Sequence, residues 1–175
     1  MKRICALLLT LCMLVCLSAC GTADEAVKAP VDFYYPRVNL TYWENDSVIA
    51  GEVREAYGHT EDLNYLVLLY LRGPASQDLY SPFPANTGLA GLEQKNQTLT
   101  ITLSGISLSE QSRLQTSLAC ACLAKTCFAL TDVTSVRVNT VAGRAAGESD
   151  IVVDADSLLL WDVCATVPTD TTEQN

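Results

Sequence analysis

The chain has 175 residues, enough for one packed domain with extended ends, and 49% of them are apolar against 18% charged. That balance excludes an intrinsically disordered protein. The formal net charge is −9, so nucleic acid is not an expected partner, and a membrane attachment has to come from something other than a basic patch.

The amino-terminal residues supply such an attachment. Lys2 and Arg3 precede an apolar run from Ile4 to Leu17, the layout of a secretory signal. The run is too short for a spanning helix, which needs about 20 apolar residues. It ends in Leu17-Ser18-Ala19-Cys20-Gly21, which resembles the lipobox of bacterial lipoproteins. The resemblance implies cleavage before Cys20, lipidation of its sulfur, and a protein held on the extracytoplasmic face of the cell membrane. Buried acyl CH₂ groups contribute ~0.8 kcal/mol each, so two or more chains anchor stably. The plainer alternative is an ordinary secretory signal in which Cys20 is incidental.

Of eight cysteines, Cys5, Cys12 and Cys16 leave with the leader and Cys20 carries the lipid. Cys120, Cys122, Cys127 and Cys164 remain, too few and too clustered for a disulfide scaffold. The expected organisation is a lipoprotein signal peptide over 1–19, a tether over 20–30, a domain over 31–143 and a carboxy-terminal extension over 144–175 whose last residues are disordered.

Val31 to Pro36 alternates as a first strand and stops at proline. Asn45-Asp46-Ser47 marks a turn, and Val48 to Tyr57 reads as a second extended segment. Thr60 to Arg72 has the punctuation of a helix. Thr60 stands as its cap and Glu61 and Asp62 in its first turn. Leu63, Leu66, Val67, Tyr70 and Leu71 share a face, and Leu68 and Leu69 widen it. Gly73 suits a left-handed C′ position, and Pro74 forbids continuation.

Leu89 to Lys95 and Thr98 to Leu103 form an expected hairpin turning at Lys95-Asn96-Gln97, where Asn96 tolerates positive φ. Leu99, Ile101 and Leu103 alternate with Thr98, Thr100 and Thr102. A second helix is expected from Ser109 to about Phe128, then a strand over Val133 to Val138. Ile151 to Val153 reads as a short edge strand, with Asp156 capping a turn. The class is α+β: a small mixed sheet with two helices packed on one face.

Four pieces of this order resemble the GerMN domain of bacterial sporulation and germination proteins. Phe33-Tyr34-Tyr35-Pro36 stands where that family has its opening strand, and Gly51-Glu52-Val53-Arg54-Glu55 where it has a basic second strand. Leu69-Tyr70-Leu71-Arg72-Gly73-Pro74 with Ser81-Pro82-Phe83-Pro84 matches its helix end and proline loop. Asp132 to Val138 matches its closing strand. The resemblance implies a ring-building-type fold and a non-enzymatic protein that docks against envelope partners or copies of itself, without a cofactor. One such domain fits here, where the best-known sporulation member carries two.

The remaining chemistry is sparse. Cys120-Ala121-Cys122 with Cys127 has the residue types for a soft metal, but on a helix Cys122 points away from the other two. Core packing is the expected role, with a disulfide to Cys164 or a metal as the alternatives. His59 is the only histidine and sits in a loop, with no serine in a nucleophile motif to serve. Asp154-Ala155-Asp156 resembles the D-x-D of phosphatase-type loops, but too little chain follows to build a core around it and a calcium loop wants more oxygen ligands, so Asp156 is expected as a helix cap; Gly88, Gly91 and Gly105 form no phosphate loop. Tyr34, Tyr35, Tyr42 and Trp43 are the aromatics available to an interface. Two readings follow: an assembly protein of the cell envelope, or a lipoprotein that presents a small-molecule or cell-wall glycan site.

Overall fold

A computed structural model describes residues 29–39 and 47–162. β1 (Pro30–Pro36) and β2 (Ile49–Glu55) pair antiparallel as a two-stranded ribbon, from Pro30 opposite Glu55 to Pro36 opposite Ile49. Val31, Phe33 and Tyr35 alternate into the core. The outer edge of β1 is closed by other elements. Tyr34 N–H donates to Thr126 Oγ1 at 2.9 Å, and the Pro36 carbonyl accepts from Tyr80 N–H at 3.0 Å. That closure explains why the ribbon stands apart from the main sheet.

α1 (Leu63–Leu71) begins at Asp62, whose carboxylate accepts from Tyr65 N–H at 3.0 Å. The cap therefore lies two residues beyond Thr60, because the chain is still turning there: Asp62 N–H donates to the His59 carbonyl at 3.1 Å. The helix ends as its sequence requires. Gly73 has φ +88°, and its N–H donates to the Tyr70 carbonyl at 2.9 Å, and Pro74 follows.

β3 (Gly88–Lys95) and β4 (Thr98–Ser104) form the hairpin, with Asn96 at φ +55° and a bulge between Leu89 and Gly91. α2 (Arg113–Leu130) starts later than expected, because Ser112 and Gln115 complete a reciprocal capping box that Ser109 could not. β5 (Ser135–Thr140) runs parallel to β4. A short helix α3 (Val141–Ala146), absent from the sequence reading, leads to β6 (Ile151–Asp154), antiparallel to β5. α4 (Ala155–Asp162) follows, with Asp156 inside its first turn instead of capping it.

The second sheet has the order β3-β4-β5-β6, so the α+β class holds, with strands shared between two sheets. Leu99, Ile101, Leu103, Val136 and Val138 are fully buried on its inner face. α2 packs against that sheet and also against β1, and α1 contributes Leu66, Val67, Leu69, Tyr70 and Leu71 to the same single core. A helix covered from two sides has to be apolar and small-residue-rich around most of its girth. Ala119, Cys120, Cys122, Leu123, Ala124 and Cys127 meet that demand.

Candidate functional site

Cys20, Cys164, Tyr42 and Trp43 lie outside the described residues. Cys120, Cys122 and Cys127 are free and completely buried, and burial pushes each thiol up to about 12. Cys122 does leave the face of the other two, yet it meets protein there too because α2 is covered on both sides. Among the described residues no group of three His, Cys, Asp or Glu side chains is placed to hold a metal ion.

His59 stacks on Tyr65 with ring centroids 4.3 Å apart. Gly88 and Gly91 are ladder positions opposite Ser104 and Thr102, and Gly105 ends the hairpin at φ +73°. Tyr35 is fully buried, whereas Tyr34 is half-buried with Lys125 Nζ 4.9 Å from its ring centroid.

The stretches that stand out in the sequence meet at one junction. Arg54 Nη1 donates to the Gly73 carbonyl at 2.9 Å and its guanidinium lies 5.9 Å from the Phe33 ring centroid. The Glu52 carboxylate accepts from Ala75 N–H and Ser76 N–H at 3.0 and 2.8 Å. Arg37 bridges to Leu79, and Val38 N–H donates to the Asp78 carbonyl at 2.9 Å. β2 thus clamps the loop that leaves α1, and β1 clamps its continuation. The charged pair of β2 does structural work, holding a carbonyl and two amides of the loop that leaves α1.

Beyond this junction the described residues include two open surfaces. The proline loop and the start of α2 enclose a groove of about 300 Å³, with Tyr80, Pro82, Pro84, Gln115 and Leu118 in its walls. Tyr80 is 42% exposed and Leu114, on the neighbouring turn, 70%. The outer face of the four-stranded sheet is mainly polar, with Val152 exposed opposite Arg137. Thr98, Thr100 and Thr102 form its central row, flanked in register by Lys95 and Glu93 on β3 and by Arg137 on β5. A shallow basin of about 430 Å³ lies over Glu93, Lys95, Thr100 and Arg137. Such a face, mixed in charge and rich in hydroxyls, is suited to reversible contact with another polar surface. Among the described residues no helix is long and apolar enough to cross a membrane.

The family model described as Germane, sporulation and spore germination, matches residues 33–146. Comparison with curated protein sequences gives no match. Among solved structures, the chain is similar to a Clostridium perfringens protein taken to be a lipoprotein, at 15% identity over 69% of this chain and 80% of that one, with a TM-score of 0.42. It is also similar to the tandem GerMN domains of the sporulation protein GerM from Bacillus subtilis, at 18% identity and a TM-score of 0.49. That match covers 75% of this chain and 43% of the tandem structure, so the chain spans less than half of it.

Proposed function

From the premise that the chain belongs to the Germane (GerMN) family of sporulation and spore-germination domains, we propose that it is a non-enzymatic assembly protein of the cell envelope, held at the extracytoplasmic face by a lipid on Cys20. The observation that carries the reading is the family match over residues 33–146, which takes in the ribbon from Phe33 on, the clamp on the loop after α1, and the second sheet as far as β5. The residues that mark the family serve architecture: Arg54 and Glu52 secure the loop after α1, and Tyr35 seals the core beneath it. The surfaces left open, the proline-loop groove and the threonine face of the sheet, suit contact with envelope proteins or with further copies of the chain. Attachment by lipid agrees with an acidic protein that has little electrostatic affinity for membranes.

The test uses the full chain in a cell that makes it. A photo-crosslinker is placed at Tyr80, and separately at Arg137, and the adducts are identified. Defined adducts at either position, together with release from the membrane fraction on Cys20→Ala, support the reading. A chain that crosslinks to nothing at both positions, or that stays membrane-bound without Cys20, overturns the corresponding half of it.

A further inference from the structure

The two edges of the β1–β2 ribbon differ, and its hydrogen bonds show how. Arg37 N–H donates to the Val48 carbonyl at 3.0 Å, and Ala56 N–H donates to the Ala29 carbonyl at 3.1 Å. These bonds continue the β1–β2 register at its two ends. In an antiparallel pair, alternate residues bond across the ladder and those between them point away. Val48, Ala50, Glu52, Arg54 and Ala56 are therefore the bonded positions, and Gly51 and Val53 aim their N–H and C=O groups away from β1. The same parity sends Tyr34 N–H and the Pro36 carbonyl outward from β1, where Thr126 and Tyr80 take them. On the β2 side, no backbone group among the described residues takes those of Gly51 or Val53. Both residues are exposed, Val53 at 66%. The far edge of β1 is closed, and this one is open.

β2 is also complementary to itself. Laid antiparallel beside a second copy, it has bonds to give only in registers that bring outward-pointing residues together. Centring the pair on Val53 sets Glu52 opposite Arg54 of the second copy, and Arg54 opposite that copy's Glu52. The next register on either side opposes Glu52 to Glu52 or Arg54 to Arg54, and like charges directly opposite are destabilising. The Val53-centred register also takes two exposed valine side chains out of water together.

We propose that β2 pairs antiparallel with β2 of a second copy about a two-fold axis at Val53, joining the two ribbons into one four-stranded sheet. The two Val53 residues exchange both backbone bonds at the axis. The joined sheet runs β1-β2-β2-β1, and Thr126 and Tyr80 already occupy each of its ends. Pairing through this edge thus stops at a closed dimer and does not grow into a fibre. The inference rests on the assembly reading and names the edge through which copies meet.

Sedimentation equilibrium and NMR-detected amide exchange of the full chain test it. The chain is expected to dimerise as its concentration rises. Exchange at Gly51 and Val53 should slow in parallel, and more than at Glu52 and Arg54, whose N–H groups already bond to β1. Val53→Lys and Val53→Glu change only an exposed side chain, and each sets a like charge against itself at the axis. Each should weaken the dimer roughly tenfold or more. Their equimolar mixture should associate about tenfold more tightly than either variant alone, which neither misfolding nor an interface elsewhere produces. Four results overturn the proposal: a chain that stays monomeric throughout, a dimer indifferent to Val53→Lys, a mixture no tighter than its components, or protection of Gly51 and Val53 at every concentration. The last means that another part of the same chain holds the edge. All four are compatible with crosslinked adducts at Tyr80 or Arg137, so the assembly reading stands or fails separately.

Discussion

The ring of Tyr35 stacks on that of Tyr70, with centroids 4.7 Å apart and planes 6° from parallel, and its hydroxyl donates to the Tyr70 carbonyl at 2.9 Å. The Tyr70 hydroxyl, by contrast, is buried with no partner. Two phenols in one stack thus have opposite accounts. Tyr35→Phe removes one of the two hydrogen bonds that the Tyr70 carbonyl accepts, leaving the one from Gly73 N–H, and should cost ~1 kcal/mol. Tyr70→Phe deletes an unsatisfied hydroxyl and should be neutral or stabilise by up to about 1 kcal/mol. Urea unfolding at neutral pH under reducing conditions measures both, and a larger loss for Tyr70→Phe than for Tyr35→Phe would contradict the assignment.

The two main helices begin at different residues from those their composition suggests, and the caps can be separated by mutation. Asp62→Ala and Ser112→Ala each remove a side-chain acceptor from a first-turn N–H, at a cost of ~1 kcal/mol. Thr60→Ala and Ser109→Ala should each change stability by less than about 0.5 kcal/mol. Denaturation midpoints of the four variants check the assignment. A Thr60→Ala loss equal to that of Asp62→Ala would return the cap to Thr60.

These shifts show what was legible in the sequence. Period-two alternation placed Leu99, Ile101 and Leu103 on one face of β4, because burial on one side of a strand writes itself directly into the pattern. Gly73-Pro74 marked the end of α1 for a similarly local reason, since only a residue free of Cβ strain takes φ +88° there without cost. The caps were less legible, since Thr60, Asp62, Ser109 and Ser112 are all competent acceptors and the path of the preceding loop chooses among them. The outer edge of β1 meets the helix hydroxyl of Thr126, 92 residues from Tyr34, and no local pattern announces that contact. α3 was missed because Val141–Ala146 is too short to show a period.

The buried thiols predict an alkaline limit to stability. Each moves from its ordinary 9.0 to about 12 in the folded chain, with desolvation as the leading cause. Between those values the unfolded chain has lost the proton that the native thiol keeps, so the stabilising linkage is fully present below about pH 9 and is lost as pH rises toward 12. The slope is ~1.4 kcal/mol per pH unit for each thiol, and the three act together. Tyr35 and Tyr70, both raised mainly by burial, add to the loss at the upper end. Urea midpoints should therefore be flat in this respect up to pH 8.5 and fall steeply beyond it. The triple variant Cys120→Ala, Cys122→Ala, Cys127→Ala should lower stability at neutral pH through lost packing while flattening the alkaline fall. The same burial predicts that a thiol reagent labels these three cysteines only as fast as the native chain opens. Rapid labelling at pH 8 without denaturant would contradict it.

Thr126 offers the most direct test of how the ribbon is held. Thr126 is 1% exposed, and its hydroxyl accepts the Tyr34 N–H on the outer edge of β1. A strand edge left open is a template for pairing with another chain, and here a single helix side chain occupies part of it. Thr126→Val keeps the shape and removes the acceptor, leaving the Tyr34 N–H without its partner at a cost of ~1 kcal/mol. Thr126→Ser keeps the acceptor and loses one methyl group, for which ~1 kcal/mol is expected. If the hydroxyl is what fixes the edge, Thr126→Val should also speed hydrogen exchange at Tyr34 without doing so at Tyr35, whose N–H lies on the β2 side of the ribbon. Exchange that rises equally at both residues would mean that the whole ribbon opens as a unit, and that its attachment depends on the Phe33 and Tyr35 rings rather than on the Thr126 hydrogen bond.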